Sequence, residues 1–226
     1  MIQQMNLTIA NSYLVRTEKP ILIDTGAPGS TRRIVQHLNR LGVAAQDVGL
    51  ILLTHAHSDH AGSAKALRQL TGAPVAVHQD DAAMLRAGNN GHMLPVGLEA
   101  RFSQAFVDKP FPALEPDIML TSSSDLAHYD VQARMLSTPG HTPGSISLIF
   151  DSGDAVVGDI LRGGLMGGTF LPQKPNYPYF LYDNAHKATL LASIRQVLDA
   201  GAKRLFVGHG GPLHRTDVEA WLDRQK

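Results

Sequence analysis

The sequence predicts an α/β fold, and two observations predict it. Short apolar runs alternate with segments of helical spacing along most of the chain. One such run, Val48 to Leu53, passes directly into a histidine-rich segment and then into a helix. A continuous apolar run of this length suits a strand covered on both faces, as in the parallel sheets of α/β proteins.

The elements follow in order. Residues 6–16 and 20–24 read as strands, the second entering the turn Thr25-Gly26-Ala27-Pro28-Gly29. Residues 30–41 place Ile34, Leu38 and Leu41 at helical spacing, and Gly42 closes that helix. After the strand at 48–53, residues 64–70 read as a helix, 75–77 as a strand and 79–87 as a helix. Residues 88–120 are rich in glycine, proline and isolated aromatics without a clear period, which suggests a functional loop or lid. Strands return at 131–137, 145–150 and 155–158. A second stretch of this irregular kind covers 160–182. A helix at 184–200 carries Leu190, Leu191, Ile194, Val197 and Leu198 on one face. A strand at 204–207 and a helix at 215–225 close the chain. Each half places a histidine- or aspartate-bearing motif at a strand end, although no close repeat is visible.

Composition narrows the chemistry. The 226 residues suffice for one sizeable core and are expected to form a single domain, 1–226. Twenty acidic residues balance 20 basic ones with no basic run, so neither a nucleic-acid groove nor a membrane surface is expected as partner. No apolar stretch is long enough to span a bilayer and the N-terminus lacks a secretory pattern, so a cytoplasmic location is expected. There are no cysteines, which excludes thiolate metal sites and cysteine nucleophiles. Metal chemistry would rest on His, Asp and Glu, and 11 histidines are available.

Thr54-His55-Ala56-His57-Ser58-Asp59-His60-Ala61-Gly62 packs three imidazoles and a carboxylate into six residues. Packing does not require that density, whereas zinc, manganese and iron all accept these donors. The segment resembles the H-x-H-x-D-H signature of the metallo-β-lactamase superfamily. Leu22-Ile23-Asp24-Thr25-Gly26, Ser137-Thr138-Pro139-Gly140-His141-Thr142-Pro143-Gly144-Ser145, Val157-Gly158-Asp159 and Val207-Gly208-His209-Gly210 match further motifs of that superfamily, in the same order.

The resemblance implies a four-layer αββα sandwich, two mixed β-sheets flanked by helices. It implies two divalent metal ions, expected to be zinc with iron or manganese as alternatives. His55, His57 and His141 would hold the first, and Asp59, His60 and His209 the second. Asp159 would bridge the two and Asp24 would orient a ligand histidine. Two close cations would acidify a shared water, with Asp59 handling its proton as the catalytic residue.

Within the superfamily, Asp159 stands where true β-lactamases commonly carry cysteine or serine, which argues against antibiotic hydrolysis. Glyoxalase II-type thioesterases share the seven ligands but add a helical domain, whereas only a short segment follows His209 here. Acyl-homoserine lactonases are similar in length and ligand set. The expected function is therefore hydrolysis of an ester, thioester or lactone in a small acyl substrate. The alternative is a persulfide dioxygenase-like oxidoreductase with one iron on His55, His141 and Asp159. A binding module that had lost catalysis would be expected to lack a ligand.

Aromatic residues after Asp159 suggest an acyl pocket, with Phe170, Tyr177, Tyr179 and Tyr182 as candidates, or else a cover over the core. Met93, Leu94, Phe102 and Phe106 pose the same question, and His92 is a candidate substrate contact. His37, His78, His128, His186 and His214 read as solvated or capping residues. A homodimer is compatible with the sequence.

Overall fold

In the computed structural model, residues 2–129, 131–164, 173–182 and 186–225 are described. The first sheet has six strands: β1 (Ile2–Asn6), β2 (Asn11–Val15), β3 (Ile21–Ile23), β4 (Leu50–Leu52), β5 (Val75–His78) and β7 (Ile118–Leu120), adjacent in that order. The first three are antiparallel, and β3, β4, β5 and β7 run parallel. The second sheet is ordered β13 (Leu213–His214), β12 (Arg204–Val207), β10 (Asp154–Gly158), β9 (Ile146–Phe150) and β8 (Ala133–Ser137). Within it β10 and β12 are parallel, while β8, β9 and β10 are antiparallel in turn.

Side-chain alternation explains how the two sheets stack. Tyr13, Ile21, Ile23, Leu50 and Leu52 point into one core together with Met135, Leu148, Val156 and Phe206 of the second sheet. Their neighbours Leu14, Leu22 and Ile51 point the other way. There they meet Ile34 and Leu38 of α1 (Thr31–Arg40), Leu67 of α3 (Ala64–Thr71) and Leu85 of α4 (Ala82–Ala87). A single turn, α2 (Ser58–Ala61), lies between β4 and α3. On the far side, Ala155, Val157, Leu205 and Val207 pack against α6 (His186–Asp199) and α7 (Arg215–Asp223). The result is helix, sheet, sheet, helix, with both faces of each sheet covered. That is why the strands read as unbroken apolar runs.

Two expectations need correction. Residues 6–16 are not one strand: Ile2–Asn6 pairs back on Asn11–Val15 through a turn in which Leu7 N–H donates to the Ala10 carbonyl at 3.1 Å. The polar stretch Ile2-Gln-Gln is an edge strand, so the apolar pattern missed it. Residues 88–120 are not without elements. They contain β6 (Leu94–Pro95), α5 (Gly97–Val107) and β7. Helix α5 directs Leu98 and Phe102 to solvent, 71% and 80% exposed, while the small Ala100 is the buried contact on its inner side, so its apolar pattern does not mark the buried face. Strand β6 pairs with β11 (Phe180–Leu181), joining the two irregular segments into one rim. The expected helices 30–41, 64–70, 79–87, 184–200 and 215–225 are present to within a few residues, 79–81 as a 3₁₀ turn. Among the described residues no helix is long and apolar enough to cross a membrane.

Tyr13 ties the sheets together. Its ring is fully buried, sits edge-on to Phe206 at 5.7 Å between centroids, and its hydroxyl donates to the Val207 carbonyl at 2.6 Å. Replacing it by alanine removes ring and bond and should destabilise the fold by about 3–5 kcal/mol. Tyr13→Phe should cost only about 1 kcal/mol, because Asn11 still donates to the same carbonyl. Equilibrium denaturation of the two variants checks this, and equal losses would show that the ring contributes little.

Candidate metal centre

Every motif residue lies beyond the carboxyl end of a strand, and these ends meet at one edge of the sandwich. Asp24 follows β3, and His55 to His60 follow β4. His141, Asp159 and His209 follow β8, β10 and β12. Crevices at such ends are where open α/β sheets place their ligands, because loops there are free of the ladder.

The side chains converge in two groups. His55, His57 and His141 can each offer one nitrogen within a common 4.8 Å, and Asp59, His60, Asp159 and His209 do the same with one nitrogen or oxygen each. In the first group His57 Nδ1 and His141 Nε2 are 2.9 Å apart. In the second, Asp159 Oδ2 lies 3.1 Å from His209 Nε2 and 3.6 Å from His141 Nε2, so this carboxylate reaches both groups. Asp59 Oδ2 lies 3.2 Å from His209 Nε2.

The opposite nitrogens are tied down. His141 Nδ1 donates to the Phe180 carbonyl and His209 Nδ1 to the Ile9 carbonyl, both at 2.7 Å. His60 Nδ1 donates to Asp24 Oδ2 at 2.8 Å. Each bond holds Nδ1 outward and turns Nε2 towards the cluster. His55 Nε2, His60 Nε2 and Asp159 Oδ1 are buried there without a hydrogen-bond partner. Buried lone pairs that meet without donors are what a cation satisfies, so the donor set fits metal.

Electrostatics agree. Burial, with His60, His141 and His57 adding to it, holds His55 well below the usual imidazole range; burial and then His141 push His57 down to about 3. These imidazoles stay neutral, as ligands must. Burial opposes charge on His209 too, but Asp159 and Asp59 beside it overcome this and raise it to about 10. Burial would likewise raise Asp59, yet His60 and His209 hold its carboxyl well below the ordinary range. The second group is thus a carboxylate-rich nest in which protons occupy positions a metal ion can take.

Asp24 adopts φ 59°, unusual for a residue with a side chain. Its backbone is held by the Ser12 hydroxyl on its carbonyl, and its carboxylate accepts from Thr54 N, Thr54 Oγ1 and His60 Nδ1, all at 2.8 Å except Ser12 at 2.7 Å. The strained backbone aims the carboxylate at the histidine loop. Gly208 is needed for close approach, because a Cβ there would collide with Asp159 Oδ1.

Sequence reading missed Asp81. Fully buried, it accepts from Ala56 N at 3.0 Å, Thr142 Oγ1 at 2.8 Å and Gly144 N at 2.7 Å, clipping the His55–His57 turn to the His141 turn. Burial lifts its carboxyl to about 6 even so. The available signal was an acidic residue just after a buried strand, the same placement as Asp24. Asn90 was missed as well; its Oδ1 accepts from Ser58 N at 2.7 Å.

The cluster floors a cleft of about 350 Å³. Of the aromatic candidates, Tyr179 lines it. Tyr177 turns away and packs edge-on against Trp221 at 4.9 Å, as part of the core under α6 and α7. Tyr182 and His92 lie outside the cleft, where His92 Nδ1 donates to the Tyr182 carbonyl at 3.2 Å. Phe170 and the side chain of Phe106 fall outside the described residues. Tyr179 Oη donates to Glu99 Oε1 at 3.2 Å, so its hydroxyl is aimed at the rim and its ring forms the wall. Met93 and Phe180 also line the cleft, and Phe102 faces solvent.

The metallo-beta-lactamase superfamily pattern matches residues 5–209. The "Probable metallo-hydrolase YqgX" of Bacillus subtilis (strain 168) is 30% identical over 206 residues, covering 89% of this chain and 85% of the relative. "Hydroxyacylglutathione hydrolase GloC" of Haemophilus influenzae is 30% identical over 155 residues, 67% of this chain and 66% of that protein. Among solved structures, a metallo-beta-lactamase family protein from Thermus thermophilus superposes with a TM-score of 0.70 at 23% identity, covering 99% of this chain and 79% of that one. With the ordered motifs, the stacked sheets and the two donor groups, these likenesses place the chain in the metallo-beta-lactamase superfamily, among its metal-dependent hydrolases.

Proposed function

We propose that the chain is a dinuclear zinc hydrolase that opens an ester, thioester or lactone bond. The observation that carries this reading is the convergence of seven donor groups, in two sets linked by Asp159, on the floor of an apolar cleft. His55, His57 and His141 would hold one ion, and Asp59, His60 and His209 the other, with Asp159 between them. When bound, such ions supply Lewis acidity towards a carbonyl and a water acidified towards neutral pH.

The chain's own residues do the rest. Asp59 is the most open of the second group, with its side chain 23% exposed to the cleft and His60 and His209 keeping it ionised. It is therefore placed to accept a proton from the attacking water and pass it to the leaving group. The full donor set also bears on the one-iron alternative, since the buried His57, His60 and His209 and the part-exposed Asp59 would then have no role. The thioester option draws support from the likeness to the hydroxyacylglutathione hydrolase GloC, and the oxoester and lactone options from the apolar cleft.

Three outcomes are expected. In a pH-stat panel of lactones, thioesters, simple esters and a β-lactam, one of the first three classes should be turned over and a chelator should abolish it. Silence across the panel from metal-loaded protein would overturn the hydrolase reading. Asp59→Ala should lower turnover at least about a hundredfold while one of two metal ions is retained, as read by atomic spectroscopy. Full activity in that variant would remove Asp59 from the chemistry. Asp81→Asn should weaken metal binding about 10–100-fold by loosening the clip between the His57 and His141 turns. An unchanged metal affinity, with the variant shown to be folded by circular dichroism, would make Asp81 a purely structural residue.

A further inference from the structure

We infer that the cleft selects substrates whose acyl arm is uncharged and apolar, and that an ion pair at its mouth, Glu99 with Arg162, is the device that turns anionic arms away. This rests on the metal-centred hydrolase reading for the position of the reacting group, and adds the class of arm that fits beside it.

The walls above the metal cluster are Ile9, Met93, Val107, Phe180 and the ring of Tyr179. Among the described residues lining the cleft, none is a lysine or arginine, so an arm ending in carboxylate or phosphate would find no counter-charge beyond the metal centre. An uncompensated charge against apolar walls is expensive, and the cost falls on the substrate that carries it.

The cation paired with the cleft-lining Glu99 is already engaged. Arg162 Nη2 lies 3.2 Å from Glu99 Oε2, its guanidinium stacks over the Tyr179 ring at 4.0 Å from the centroid, and its Nε donates to the Tyr177 carbonyl at 2.9 Å. The side chain is only 14% exposed. Glu99, half exposed on α5, also accepts from Tyr179 Oη. Arg162 is therefore held edge and face, and the charge that looks into the cleft is the carboxylate. A second carboxylate entering there finds no free guanidinium, because Glu99 already holds Arg162. An alkyl arm needs no counter-charge and covers apolar wall.

The test is a binding comparison that does not depend on turnover. Hexanohydroxamate and adipic monohydroxamate share a metal-seeking head and chain length, and differ by a terminal carboxylate. Calorimetric titration of the zinc-loaded protein should give a Kd for the neutral probe at least about tenfold lower. In Glu99→Gln, which leaves Arg162 with an uncompensated charge, that ratio should shrink to about unity or invert. Equal or tighter binding of the carboxylate-bearing probe by the wild-type protein overturns the inference, as does failure of the neutral probe to bind. An unchanged ratio in Glu99→Gln overturns the role of the ion pair. Failure of the hydrolysis panel alongside the expected probe selectivity would count against the reaction assigned above and leave the arm preference standing.

Discussion

Burying six ionisable side chains around one point, with a seventh at the edge of solvent, costs free energy that only the surrounding fold can offset. The fold does so through the far side of each group. Asp24 takes the second nitrogen of His60, while the Phe180 and Ile9 carbonyls take those of His141 and His209. The Thr54 hydroxyl sits 3.1 Å from His55 Nδ1. With those positions satisfied, His55 Nε2, His60 Nε2 and Asp159 Oδ1 face inward without a hydrogen-bond partner, and a cation is the group that would complete them. The site is thus built from outside inwards, and its anchors belong to elements far apart in sequence.

Those anchors explain features of the fold that would otherwise look incidental. The β1–β2 hairpin is not only an edge of the first sheet. From it Asn11 donates to Val207 and Gly210, and Ile9 receives His209, so the amino-terminal turn clamps the His209 loop. Asp81 does the same for the His55–His57 and His141 turns from a position after β5. The two sheets are therefore held together by apolar packing in the middle and by a ring of polar clips at the ligand edge. Apolar packing tolerates sliding better than directional bonds do, so the clips are what set ligand distances.

Much of this was legible in the sequence, for physical reasons. Doubly buried strands such as Leu50–Leu52 must be apolar throughout, and chemistry-bearing residues must follow them. The order strand, motif, helix could therefore be read at Asp24 and His55–His60, and the order strand, motif at Asp159 and His209. Amphipathic helices such as α6 declare their buried face. What could not be read depends on environment and not on pattern. Strand Ile2–Asn6 is an edge with polar residues; α5 presents Leu98 and Phe102 to solvent, so its apolar pattern does not mark its buried face. Tyr177 and Tyr179 are separated by one residue and have the same chemistry, yet one packs on Trp221 and the other walls the cleft. Composition alone could not divide them. Asp81 looked like the second of two acidic residues in a helical turn, and only the approach of Gly144 and Ala56 gives it a role.

The rim and the metal-type cluster share a backbone. Phe180 contributes its side chain to the cleft wall and its carbonyl to His141, and its strand pairs with Leu94–Pro95, which leads into the helix bearing Glu99. A displacement of this two-stranded rim by a bound arm is therefore felt at the Nδ1 hydrogen bond of a ligand histidine. Because that bond is short and the donor is buried, it resists lengthening. Substrate shape and ligand orientation are consequently set by the same few atoms. Loop variation around such a site can change which arm is accepted only within limits that keep the Phe180 carbonyl in place.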